Sequence, residues 1–188
     1  MAVELKAPPA LPVPLAEVKA FLRIGTSEED ALLAGLIRGA AETCEAFTGR
    51  ALVARDVEEI LPATSAWTRL GAAPVLAIEG VAALDRYGEA EALAAEAYAI
   101  DIDSAGDGWV RVTMPGEATR VRVSYSAGMA RDAGRLPEAL RHGIVRLAAH
   151  LYTHRDRVDP GSGSGAGASG PPAAVTALWR PWRRLRLG

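Results

Sequence analysis

SEEDALLAGLIRGAAETCEAFTG, residues 27–49, is the stretch from which the fold of this chain is read. Leu33, Ile37, Ala40, Cys44 and Phe47 recur at steps of four, three, four and three, which aligns them as one apolar stripe along an α-helix. Leu32, Leu36 and Ala41 widen the stripe, so this helix is expected to be covered on more than one side. Ser27 with Asp30, or Thr26 with Glu29, has the spacing of a capping box. Glu28, Glu29 and Asp30 suit the positive end of the helix dipole, and Gly49 suits a left-handed C-terminal cap. A helix over residues 27–48 is therefore expected, and the rest of the chain must pack on it.

Two further helices follow from the same periodicity. LAEVKAFLRI, residues 15–24, places Leu15, Val18, Phe21 and Leu22 at helical spacing, with Pro14 at its entry and Gly25 as a break. PEALRHGIVRLAAHLYTHRD opens at Pro137 and predicts a helix over 137–155, striped by Leu140, Ile144, Leu147 and Leu151. This stripe is the natural partner of the one on 27–48. Between them the period changes. Residues 51–61, 67–70, 74–84, 98–102, 109–114 and 119–125 read as strands, with Gly80 marking a bulge and DSAGDG (103–108) a turn. In the last strand Val121, Val123 and Tyr125 point one way and Arg120, Arg122 and Ser124 the other, the mark of a one-sided antiparallel sheet. The expected fold is α+β, a helical bundle of N- and C-terminal helices with an antiparallel β-meander (51–125) inserted.

Composition narrows the function. The chain has 188 residues and is 49% hydrophobic, so it can bury a core. No apolar run approaches the roughly 18 residues of a membrane span. The Pro-rich first 14 residues, with Glu4 and Lys6, lack the apolar centre of a signal peptide. The single Cys44 lies on the apolar stripe and reads as a small buried hydrophobe. Residues 1–159 hold 17 Lys+Arg against 23 Asp+Glu, a balance of −6, whereas residues 160–188 hold four arginines and no acid. A nucleic-acid binder usually carries its basic face on the folded part. The first two helices have the outline of a helix-turn-helix, but the second is long and opens with three acids that repel phosphate.

Nothing in the chain forms a convincing active site. His150 and His154 stand one helical turn apart, a spacing compatible with a metal pair, but no third ligand is evident; Asp156 sits at the helix end. GSGSGAGASG has no Lys-Ser/Thr after it and no strand before it, so it is not a phosphate loop. Ser124-Tyr125-Ser126 lacks the Gly-x-Ser-x-Gly frame, and Asp101 and Asp103 flank a turn, where Asp is common. No cofactor and no metal is expected.

Three segments are expected: a main domain over 1–157, a flexible Gly/Ser linker over 158–170, and a tail over 171–188. The tail, PPAAVTALWRPWRRLRLG, has a composition that disordered segments avoid. Val175, Leu178, Trp179 and Trp182 fall on one side of a short helix, Pro181 bends or ends it, and Leu185 extends the apolar contact. Trp and Arg are the types enriched at binding hot spots. Val175, Leu178, Trp179, Pro181, Trp182, Arg183, Arg184, Leu185 and Arg186 are thus candidate contact residues. Three destinations are open to the tail: a partner protein, its own domain, or nucleic acid through the arginines.

The ordered set of pieces resembles the head–tail connector, or adaptor, family of tailed phages and gene transfer agents. It runs from LAEVKAFLRI and EEDALLAGLIRGAAETCEAFTGRAL (15–52) through APVLAIEGVAALDRYGEAEAL (73–93), YAIDID (98–103) and RVRVSYSAGM (120–129) to LPEALRHGIVRLAAHLYTHRD (136–156) and the terminal LWRPWRRLRLG. The Gly/Ser stretch at 161–170 is a departure, being longer than the family pattern calls for. The resemblance implies a non-enzymatic structural protein of the particle neck, assembled in the bacterial cytoplasm. It implies a ring, usually dodecameric, that joins the portal protein to the stopper and tail components and leaves a channel for DNA. On that resemblance the tail residues named above are expected to bind the portal. The alternatives by class are a nucleic-acid-binding module using the Arg-rich tail and a small metal-dependent enzyme using His150 and His154.

Overall fold

Apolar stripes from the two ends of the sequence meet in one helical unit. The computed structural model describes residues 2–6, 10–154 and 170–184. The chain divides into two compact units, Ala10–Leu52 with Asp132–Gly188, and Met1–Pro9 with Val53–Arg131. The first contains the helices and the second all the strands, so the architecture is α+β.

In the helical unit, α1 spans Leu15–Leu22, α2 Asp30–Thr48, α3 Glu138–Thr153 and α4 Ala173–Trp179. Helix α2 buries Leu33, Ile37, Ala40 and Cys44, the stripe read from the sequence, and leaves Phe47 half-buried. It packs on α3, which buries Leu140, Ile144 and Leu147 together with Val145, Ala148 and Ala149. Leu151, the last residue of the expected stripe, is exposed. Helices α1 and α4 also lie on α3. Polar contacts at the rim fix α1 in place. Lys19 Nζ lies 2.6 Å from Asp30 Oδ1, and Arg141 bridges Glu17 at 2.7 Å and Glu138 at 2.9 Å. These pairs are partly solvated, so each contributes little to stability.

The helix ends depart from expectation in an instructive way. Helix α2 begins at Asp30 without a capping box, and no side chain caps its N-terminus. The acids that would have formed it are drawn elsewhere: Asp30 to Lys19, and Glu29 to the hydroxyl of Tyr152. Helix α1 ends before Gly25 because Arg23 itself takes the left-handed conformation, with φ 61°, and its N–H donates to Ala20 O. Gly49 does cap α2 as expected, at φ 69°, with its N–H on Glu45 O.

The strand unit contains β1 (Ala2–Leu5), β2 (Arg55–Pro62), β3 (Thr68–Arg69), β4 (Val75–Leu84), β5 (Ala90–Ala92), β6 (Tyr98–Ile102), β7 (Gly108–Val112) and β8 (Arg120–Ala127). They form a five-stranded sheet in the order β1-β2-β8-β4-β5 and a three-stranded sheet in the order β3-β7-β6. Every pair within the sheets is antiparallel. The connectivity is not the expected meander, because the last strand lies between β2 and β4. The reason is legible in β8 itself. Val121, Val123, Tyr125 and Ala127 are all fully buried on one face, and such a strand is best satisfied at the centre, with neighbours on both edges. The pairing of β4 with β8 shifts register between Ile78 and Gly80, where the sequence marks a bulge, and again between Val75 and Ala77. Strand β1 comes from the Pro-rich first 14 residues, and β5 follows a turn in which the Asp85 N–H donates to Glu89 O at 3.0 Å.

The core of this unit gathers Val57, Leu61, Leu70, Val81, Val110 and Val112 around the buried face of β8. One polar network crosses it. The Tyr125 hydroxyl donates to Glu59 Oε2 at 2.8 Å and accepts the Ala72 N–H at 3.1 Å, while the Gly71 N–H also donates to Glu59 Oε2 at 2.8 Å. Burial, above all, pushes the Tyr125 phenol well above its ordinary range. Tyr125→Phe leaves the Ala72 N–H buried without an acceptor. It should destabilise the protein by about 1–3 kcal/mol, measured by urea denaturation.

Cys44 is fully buried, and burial first, then the nearby Glu45 charge, pushes its thiol from 9.0 to about 12. A raised thiol pKa adds stability that is intact below 9 and is lost as pH climbs toward 12. The native protein should therefore resist thiol reagents at pH 8 and react fully in denaturant. Rapid labelling of the native protein would contradict the burial.

Candidate interaction site at the C-terminal tail

The tail is built from short-range rules. Pro172 precedes α4, where a missing N–H costs nothing. Nine residues later Pro181 turns the chain into a short 3-10 segment, Arg180–Trp182. Val175 and Trp179, four residues apart, point the same way and are buried at 2% and 0% exposure.

Trp179 sits on α3. Its indole Nε1–H faces the Leu140 carbonyl at 3.4 Å, at the long limit for such a bond. Gly143 makes the seat: a Cβ there would overlap the indole Nε1 and lie 2.8 Å from Cδ1. Phe47 of α2 closes the other side, with ring centres 6.0 Å apart and planes tilted by 52°, a favourable aromatic geometry. The chain beyond is tied to the end of α2. The Arg184 N–H donates to Thr48 O at 2.8 Å, answering one of the helix's terminal carbonyls. Arg50 Nε donates to Trp182 O at 3.2 Å, and the Arg183 guanidinium lies 5.7 Å from the Phe47 ring centre.

Of the candidate contact residues, then, Val175 and Trp179 are buried in the core of the chain's own helical unit. The physical reason is that an unfilled seat over Gly143 would leave a void in that core. Leu178, Trp182 and Arg184 are half-buried, and Pro181 and Arg183 are exposed, as is Arg180 beside them. Leu185 and Arg186 lie outside the described residues, as does the linker at 158–170 except for Gly170. Sequence reading missed Gly143. A lone glycine inside the α3 pattern is the signal for a close approach.

His150 and His154 stack with ring centres 4.1 Å apart. His154 Nδ1 lies 2.9 Å from the His150 carbonyl and from Thr153 Oγ1. Partial burial, and then the neighbouring His154, lower the pKa of His150. Among the described residues no group of three His, Cys, Asp or Glu side chains is placed to hold a metal ion, and no helix is long and apolar enough to cross a membrane. Beside His150 a groove of about 290 Å³ opens between the end of α1, the second half of α3 and the start of α4. Phe21, Leu22, Ala149 and Val175 line it, together with Arg146 and His150.

The family described as phage gp6-like head–tail connector protein matches residues 13–82, from the approach to α1 through most of β4. No curated protein matches the sequence. Solved structures match over the whole chain. A chain in the structure described as the neck of an empty GTA particle computed with C6 symmetry is 28% identical, with a TM-score of 0.76. A chain from the virion of a native gene transfer agent (GTA) particle is 27% identical, with a TM-score of 0.74. One from the neck of a native GTA particle computed with C12 symmetry is 26% identical, with a TM-score of 0.72. Each alignment covers 100% of this chain and 98% of the other. The resemblance to head–tail connectors read from the sequence therefore holds: the chain carries the connector pattern in its first half and the fold of a GTA neck chain throughout.

The seat predicts its own disruption. Trp179→Ala should cost about 3–5 kcal/mol, and Gly143→Ala about 1–3 kcal/mol by overpacking. In both variants limited proteolysis should cut the tail faster than in the parent protein. Equal cleavage rates and unchanged melting would mean that the tail does not contribute to the core.

Proposed function

We propose that this protein is a structural subunit of the neck of a phage or gene-transfer-agent particle. Copies of it form a ring that joins the portal to the stopper and tail components and leaves a channel for DNA. The observation that carries this reading is the end-to-end match, 100% of this chain against 98% of the neck chain, at 28% identity. The C6 and C12 symmetries of the matched necks support a ring, with a dodecamer as the expected count. The reading includes no catalysis and no cofactor.

Within it, the tail over 171–188 is the portal contact, joined to the body by the linker over 158–170. Trp179 and Val175 hold the tail on the helical unit. Arg180, Pro181 and Arg183 face outward, and Leu178, Trp182 and Arg184 are half-exposed beside them. These residues present a cationic, apolar-backed surface to acids on the portal, where Arg and Trp suit an anchoring contact. The channel wall is expected to be net acidic, in keeping with the balance of −6 over residues 1–159, so that DNA passes without adhering.

Two measurements test this. Electron microscopy of particles from cells lacking the protein should show filled or empty heads without tails, and complementation should restore the neck. Arg180→Glu with Arg183→Glu should leave the melting temperature within about 2 °C, as surface changes do, yet weaken attachment to purified portals at least about tenfold. Attachment at the parental level would remove the tail from the portal contact, and intact necks in the deletion strain would remove the neck function itself.

A further inference from the structure

A ring of identical subunits closes through heterologous contacts, in which one patch of each copy meets a different patch of the next. The surface offers one projecting and one receiving feature of matched chemistry. The projection is the turn between β4 and β5. Tyr87 stands at its tip, 77% exposed, more than any other large apolar side chain described. The turn is rigid. Asp85 Oδ1 accepts the N–H groups of Tyr87 and Glu89, each at 2.8 Å, the Asp85 N–H donates to Glu89 O at 3.0 Å, and Gly88 takes φ 89°. The Arg86 guanidinium stacks on the Tyr87 ring at 4.8 Å. An aromatic side chain held outward by a preorganised turn loses little entropy on docking.

The receiver is the groove between α1, α3 and α4. Its volume, about 290 Å³, exceeds the roughly 150 Å³ of an engineered cavity that holds benzene. Phe21 on its wall is 52% exposed. Arg146, in its lining and exposed, has no carboxylate partner among the described residues. Glu89 and Glu91, beside Tyr87, likewise have no ion pair among the described residues. An aromatic tip flanked by free carboxylates thus corresponds to an apolar groove flanked by a free guanidinium.

We propose that Tyr87 of each copy inserts into the groove beside Phe21 of the next, with Glu89 or Glu91 meeting Arg146. The inference rests on the ring reading above. One buried aromatic removes only about 150–250 Å² from water, well below a standard interface of about 800 Å² per partner. Tyr87 is therefore an anchor within a larger contact rather than the whole of it.

Full-length protein carrying Tyr87→Cys with Thr153→Cys, produced in cells that assemble particles, tests the contact. Oxidation of purified necks should give a ladder of disulfide-linked copies, and neither single variant should. Tyr87→Ala and Arg146→Glu should each lower incorporation into necks at least about tenfold, with circular dichroism and melting unchanged. Glu89→Arg combined with Glu91→Arg should restore the Arg146→Glu protein. Necks that form normally with Tyr87→Ala, or that yield no ladder, overturn the contact while leaving the ring intact. A cross-link from Thr153→Cys to a different protein overturns the choice of a second copy as occupant. If the parent protein joins no necks at all, the ring reading fails and this contact fails with it.

Discussion

The helical unit depends on one fit, an indole against a glycine. Helices α2 and α3 pair through ordinary stripes, but their union leaves a hollow where Gly143 has no side chain, beside Phe47 and the Leu140 carbonyl. Trp179 occupies it with no measurable exposure. The tail thus arrives from the far end of the sequence, past the linker, to complete a core begun by residues 30–48. Closing so long a loop costs entropy that grows only slowly with length. Burying an indole outweighs it at the usual worth of apolar area.

Much of this was legible beforehand, and the reasons are specific. The stripes of α2 and α3 were readable because buried residues at 3.6-residue periodicity, four on α2 and three on α3, leave few alternatives. The same holds for β8, whose alternation is strict. Gly49 announced its cap because no other residue takes φ near +69° at so little cost. What escaped notice was non-local. The order β2-β8-β4 depends on which strand most needs two neighbours, and period alone does not rank strands. The absent capping box depends on Lys19 and Tyr152, residues that periodicity places on other helices but not opposite these acids.

In the tail, composition alone does not separate inward from outward residues. Tryptophan and arginine mark binding hot spots, but a tryptophan is as apolar toward its own core as toward a partner. Position within the short helix separates the roles. The residues at 175 and 179 form the inward face, and those at 180, 181 and 183 turn outward once Pro181 redirects the chain. A seven-residue helix is too short to be stable by itself. Its inward face must be held if the outward face is to have a fixed geometry.

That coupling bears on how such a tail would work in a neck. A contact made by a disordered segment must order the chain as it binds, which reduces affinity. Here the backbone is already fixed as far as Arg184, whose N–H is bound to Thr48 O. The arginines therefore start from a defined place at the end of α2, next to the groups that would orient them. On the neck reading, the inward tryptophan and the outward arginines are parts of one device, the first lowering the entropy cost of the second. The acidic remainder of the chain sharpens it further. The segment carries arginines and no acid of its own, so the exposed Arg180 and Arg183 direct their field at whatever carboxylates a neighbour supplies.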